Sequence, residues 1–379
     1  MLPLLSLQPE NLALLKTLGA NAFWLGQLKY DVSDWAASRP FFEQYLKYSQ
    51  TMYALAPEDK DALMELSYAH NTLGSVSMKQ QEFAKAQQDF EESLRLKLLA
   101  LAKAPEDSQL IADVADTRSW LASAAVSLGD LSYAVQAHQE IQQQLESQNL
   151  EKQPYLLDRL AGSYQNLATL LAYQGHFSQA SSKAESGLAI INDVLKQDPE
   201  NEKWKRLKFY SSFQSIELST STAAPNAQDR LIKVKYELDS DEKFKLSPKY
   251  QETLAKYYYT QAKSFFETKN YKNGTINIKL AVKLYYDLSK SFKQNYIYYS
   301  DLSIAELLYA SYLKKSKNSD AVIELCKNTK ERLQPLVEKD KDPRFTVPYI
   351  RALDCLGELS DEKELANLLK LAGVSDINF

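Results

Sequence analysis

Apolar residues recur along this chain at intervals of three and four for about twenty positions at a time, which places them on one face of a helix. Each run ends in a short polar break. The stretch from Pro57 to Asp107 shows the unit: Pro57-Glu58-Asp59, a run centred on Leu73-Gly74, a second run through Ala86, Phe90 and Leu94, then Pro105-Glu106-Asp107. Forty-eight residues earlier, Pro9-Glu10-Asn11, Leu25-Gly26 and Phe42 stand at the matching offsets, and Leu121-Ala122 and Ala134 follow forty-eight residues later. A fourth copy carries Leu167-Ala168, a turn at Gln174-Gly175-His176, then Ala180, and closes at Asp198-Pro199-Glu200-Asn201. The pattern predicts helix pairs in tandem, each burying its apolar face against its neighbours rather than in one central core.

Taken in order, the repeats span 9–56, 57–104, 105–150, 151–198 and 199–220, and together predict an acidic solenoid segment over 1–220. In the first copy Pro40 predicts a second helix starting there, where its missing N–H costs nothing. Small and polar residues at 219–226 and again at 239–248 predict an irregular hinge over 221–248. Helical pairs resume in a basic, Tyr- and Lys-rich segment over 249–379, at 250–268 with 271–293 and at 296–315 with 321–338. There Ala262, Phe265 and Ala281 keep the repeat spacing, with Gly274 where alanine stands elsewhere. A short pair, 348–359 with 362–372, closes the stack as a solvent-facing cap, with Gly373 as helix stop.

These positions resemble the tetratricopeptide repeat superfamily. Leu73-Gly74, Ala86, Phe90 and Ser93 fall at that family's leucine-glycine, alanine, phenylalanine and small-residue positions, as do Leu121-Ala122, Gly129 and Ala134, and then Leu167-Ala168, Gly175 and Ala180. His138 and Ala184 depart from it where an aromatic is expected, and the period of 46 to 48 exceeds the family's roughly 34. The extra length amounts to about two more turns per helix, and long-helix repeats of this kind are similar to the tails of bacterial signalling proteins. The resemblance implies an all-α fold, a right-handed α-solenoid of about seven helix-turn-helix pairs. It also implies a protein- or peptide-binding scaffold, the regulatory or sensing module of a larger protein.

Charge divides the chain. Residues 1–200 hold 15 Lys and Arg against 25 Asp and Glu, and residues 201–379 hold 30 against 24. The alternative function follows from this split: a self-associating scaffold in which acidic front meets basic back. Tyr257-Tyr258-Tyr259, Tyr285-Tyr286 and Tyr298-Tyr299 among lysines are also compatible with nucleic acid, but Tyr258, Ala262 and Phe265 follow core periodicity. Cys326 and Cys355 are too few for a disulfide framework or a Cys-ligated zinc site, and read as small buried hydrophobes.

The sequence predicts neither enzyme nor cofactor. It has no phosphate loop, nucleophile elbow or His-Glu-x-x-His motif. His70 and His138 belong to different faces, so no shared metal site is expected. No run reaches the length of a membrane span; the expected compartment is the cytoplasm, with the periplasm as alternative. Leu7-Gln8-Pro9-Glu10-Asn11 matches Leu55-Ala56-Pro57-Glu58-Asp59, which predicts a preceding repeat in a longer parent chain.

The binding surface is expected along the first helix of each pair, which lines the concave side in the family. Its positions map to Phe23 and Gln27, to Tyr68, Asn71 and Ser75, to Asp116, Ser119 and Ser123, and to Gln165, Thr169 and Tyr173. Amides and hydroxyls there can hydrogen-bond the backbone of an extended peptide, with Phe23, Tyr68 and Tyr173 as anchors.

Overall fold

The computed structural model describes residues 10–148, 150, 153–221, 226–360, 362–371 and 374, and among these every regular element is a helix. The N-terminal match at 7–9, Ala372 and Gly373 lie outside the described residues. Two compact units divide the chain, one up to Gln148 and one from Asn149 onward.

The first unit holds α1 Leu12–Asp31, α2 Trp35–Leu55, α3 Lys60–Lys79, α4 Phe83–Lys103, α5 Ser108–Leu128 and α6 Leu131–Glu146. The second holds α7 Pro154–Tyr173, α8 Phe177–Gln197, α9 Glu202–Ser221, α10 Ala227–Ser240, α11 Glu242–Lys245 and α12 Tyr250–Glu267. It continues with α13 Tyr271–Ser291, α14 Tyr296–Lys315, α15 Ser319–Val337, α16 Pro343–Leu356 and α17 Glu362–Leu371.

The recurring Pro-Glu-Asp signal is a helix cap. Asp59 accepts from the Ala62 amide at 2.9 Å, Asp107 from Gln109 and Leu110, and Asn11 from Leu14, so each satisfies an amide that has no partner within its helix. Asn201 does the same for Trp204 at 3.2 Å. Between the helices of a pair one residue takes the left-handed conformation: in chain order Ser33, Gln81, Gly129, Gly175, Asn226, Lys269, Lys317 and Gly357.

Inside each pair a small residue on the first helix receives the side chain sixteen positions later. A Cβ on Gly26 would lie 2.6 Å from the Phe42 ring, and one on Gly74 2.7 Å from the Phe90 ring, so only glycine admits an aromatic there. Where the first-helix residue is alanine, at 122, 168, 262 and 310, the later one is His138, Ala184, Ile278 or Cys326, all buried. The departures from the family pattern at His138 and Ala184 therefore fall where alanine rather than glycine stands on the first helix.

Three expectations are corrected. Helix α2 begins at Trp35, capped by Asp34, so Pro40 lies in its second turn and the Ala36 carbonyl gives up its helical partner. The stretch 221–248 is largely helical rather than irregular. Leu231, Val234 and Leu238 follow helical spacing and, with Phe244, pack on Phe209, Phe213, Ile216 and Tyr257. The small, polar residues before them hid that signal. Finally, Cys326 and Cys355 are not independent hydrophobes. They form a disulfide, Sγ atoms 2.03 Å apart, joining α15 to α16.

Candidate functional site

The second unit holds an open cavity of about 340 Å³. The first helices of its pairs, α7, α9, α12, α14 and α16, wall it, and Tyr285 of α13 reaches its floor. Hydrogen bonds between neighbouring first helices set the walls. Gln214 on α9 donates to the Gln165 carbonyl at 2.9 Å and to the Thr169 hydroxyl at 2.8 Å, while the Gln165 amide donates to the Leu207 carbonyl at 3.1 Å and to Ser211. Lys256 on α12 pairs with Glu217 on α9 at 2.8 Å, and Thr260 donates to the same carboxylate. Ser300 on α14 donates to the Arg344 carbonyl at 2.5 Å.

Behind this wall Glu252 ties three helices together. It accepts from Arg206 at 2.9 Å and from the Tyr210 and Tyr298 hydroxyls at 2.8 Å each. Burial opposes its charge, but Arg206 and these hydrogen bonds outweigh burial and hold its carboxyl at about 2.

Asp301, which lines the cavity, shows the opposite balance. Burial pushes its carboxyl up to about 7 from the ordinary 3.8; Lys256 and Arg344 pull it down, and Glu252 and Glu217 add to the rise. The folded chain therefore keeps this proton in a range where the unfolded chain has released it, so stability falls as pH rises from 3.8 to about 7 and stays lower above that. Asp301→Asn is expected to stabilise the protein by roughly 1–2 kcal/mol at pH 8, allowing for solvent screening. The gain should shrink toward pH 5. Thermal melts of both proteins across that range check it, and an unchanged or lower melting temperature at pH 8 would contradict it.

Four cations and two carboxylates face the cavity: Lys256, Lys263, Arg344 and Arg351 against Glu217 and Asp301. Arg344 is raised above its ordinary range chiefly by Asp342, which it meets at 2.8 Å and which is itself 1% exposed. Lys263 is pushed down by burial, with Lys256 and Arg351 adding to the effect and Glu217 opposing it. Ile304, Pro343, Val347 and Pro348 supply apolar wall.

No protein-family model matches the sequence and no curated protein does. Among solved structures, the apo form of RapI superposes with a TM-score of 0.55 at 11% identity, covering 84% of this chain and 99% of RapI. Its fold is that of a tetratricopeptide-type helical repeat. A STAND signal-transduction ATPase with a tetratricopeptide repeat sensor, from Pyrococcus horikoshii, aligns at a TM-score of 0.45 and 15% identity, over 90% of this chain and 50% of that one. The fold follows from the first of these.

Within the tetratricopeptide-type repeat, Gln165, Thr169 and Tyr173 line the cavity, and the other eight residues expected at the groove lie in the first unit. There Phe23 packs on Phe42 and Tyr45, and Gln27 donates to Asp31. The Tyr68 hydroxyl donates to Asp113 at 2.7 Å. Asn71 accepts from Thr117 at 3.4 Å, and Thr117 in turn accepts from the buried Lys97 at 2.7 Å. Burial lowers Lys97 to about 8 against the pull of Asp113 and Asp116. The Ser75 and Ser123 hydroxyls donate to Asn71 and to Ser119 one turn back.

The cationic residues on α12 and α16 were not anticipated from the sequence, although a signal existed. Counted back ten and six residues from the left-handed turn, the positions of Asn71 and Ser75, and of Gln165 and Thr169, become Tyr259 and Lys263 on α12 and Val347 and Arg351 on α16. All four line the cavity. Among the described residues no group of three or more His, Cys, Asp or Glu converges as a metal site, and no helix is long and apolar enough to cross a membrane. His70 bonds Asp89 at 3.0 Å, and burial lowers His138 to about 4.

Proposed function

We propose that the protein is a peptide-binding scaffold whose second unit receives its ligand in this cavity, as the regulatory or sensing module of a signalling protein. The observation that carries the reading is the convergence of polar and apolar side chains from six helices on one open space. A volume of 340 Å³ lies at the low end of the roughly 300–1,000 Å³ of small-ligand sites, which suits a few residues of an extended chain. Phenols and charged heads supply hydrogen bonds to a peptide backbone, and Ile304, Val347 and the two prolines supply contact for side chains. The disulfide favours an oxidising compartment such as the periplasm over the cytoplasm.

A synthetic mixture of randomised hexapeptides, incubated with the protein and read by mass spectrometry after size separation, tests the reading. Asn166→Trp with Ile304→Trp fills the cavity from two walls. Peptides retained by the wild type and lost by the filled variant are expected. Equal retention by both, or none by either, would remove the cavity as the binding site.

A further inference from the structure

Most charged groups on the cavity wall are already matched. Lys256 pairs with Glu217 at 2.8 Å, and Arg344 pairs with Asp342 at 2.8 Å. Lys263 and Arg351 have interactions of their own. Asp301 is the exception. It lines the cavity, yet makes neither a hydrogen bond nor an ion pair with any described residue. Gln214 leaves a second acceptor open: its amide N–H groups serve the Gln165 carbonyl and the Thr169 hydroxyl, while its Oε1 is buried without a hydrogen-bond partner. Tyr173, Tyr210, Tyr259 and Tyr285 line the same space, and Asp301 is the charged group that acts most strongly on Tyr285. Two of these rings already hold cations of the chain itself, Lys256 over Tyr259 at 4.9 Å and Arg206 over Tyr210 at 5.1 Å.

We propose that Asp301 receives an ammonium group of the ligand, so that the peptide bound here carries a lysine or presents its own N-terminus to this carboxylate. This rests on the reading of the cavity as a peptide site. An ammonium has three N–H donors and no acceptor, which complements a wall whose open positions are acceptors. Its charge-assisted bond to a carboxylate is about twice as strong as a neutral one, and tyrosine faces within about 6 Å add attraction for the cation. Lys256 and Arg344 oppose it less than their number suggests, because Glu217 and Asp342 neutralise them. Ile304, one turn along α14 from Asp301, and Val347 give apolar surface to the methylene stem of a lysine. In so small a space the compact ammonium is better suited than the wider, planar guanidinium. A carboxylate without a partner costs the empty protein stability, which fits a group kept for a ligand rather than for the fold.

Two sources supply the ammonium, a lysine side chain and a chain end. The hexapeptide mixture is therefore prepared twice, with free and with acetylated N-termini. Peptides retained by the wild type over the filled variant are expected to be enriched in lysine in both preparations if the side chain is read, or to come from the free-amine preparation alone if the chain end is read. Asp301→Asn keeps the shape and removes the charge. At pH 8 it should weaken the leading peptide by roughly ten- to a hundred-fold, with a melting temperature no lower than that of the wild type, which separates lost recognition from lost fold. Equal binding by Asp301→Asn would overturn the assignment of this residue. Retained peptides that are neutral, acidic or selected for arginine would overturn the ammonium inference and leave the peptide site standing. A set of retained peptides that fails to appear at all would overturn the peptide site itself.

Discussion

Gly274→Ala is expected to destabilise the second unit strongly, although glycine to alanine inside a helix ordinarily stabilises by about 1 kcal/mol. The reason lies in one contact. A Cβ at position 274 on α13 would stand 1.8 Å from the Tyr312 hydroxyl oxygen and 2.3 Å from the ring carbon that carries it. Tyr312, on α14 and 3% exposed, threads past this glycine to donate to the Ala262 carbonyl on α12 at 2.5 Å. Its ring is wedged edge-on against Phe266 at 5.1 Å and Tyr271 at 6.2 Å, so it has nowhere to retreat. The cost should reach or pass the upper end of the roughly 1–3 kcal/mol typical of overpacking. Urea unfolding followed by circular dichroism measures it. Tyr312→Leu in the same chain should recover part of the loss by making room, a coupling that a double-mutant cycle reads directly. A Gly274→Ala protein within 0.5 kcal/mol of the wild type would contradict this packing.

Reducing the Cys326–Cys355 bond is expected to lower the stability of the same unit by roughly 3.5 kcal/mol, the chain-entropy value for a loop of this length. The two residues are 29 apart in sequence and sit on different helices, so the bond restricts the unfolded chain more than a bridge between adjacent turns would. Cys326 lies among Leu307, Ala310, Val322 and Ala352, with Cys355 at the edge of that cluster. These apolar contacts persist after reduction, so α16 should stay docked at low temperature and detach earlier on heating. Melting curves with and without a dithiol reductant give the loss. The Cys326→Ala, Cys355→Ala double variant should melt at one temperature in both conditions. Two titratable thiols in the denatured, unreduced protein would show that the bond does not form.

The periodicity of the first four copies announced the helix pairs, and the packing of Gly74 on Phe90 follows from that spacing because small and large residues alternate in register. The capping residues were equally legible, since Asp59, Asp107 and Asn201 act on amides two or three positions away. Beyond Asn201 the leucine-glycine signal disappears while the helices continue. There Phe209, Phe213, Leu231 and Phe244 pack through contacts that no short window contains. Glycine at 274 could be noticed in the sequence as a substitution, but its cause sits 38 residues away in Tyr312.

What this sequence determines by itself is therefore local: helix faces, caps, turns, and the small-to-large pairing sixteen residues apart, all set by chain geometry within one repeat. The cavity was decided by the tertiary structure. Gln165, Glu217, Lys263, Asp301 and Arg351 come together from five helices spread over nearly two hundred residues. Their charges matter only because burial removes the water that would otherwise screen them, and burial belongs to the assembled stack rather than to any one segment. The disulfide has the same origin, since two cysteines in separate repeats become partners only once α15 and α16 have packed.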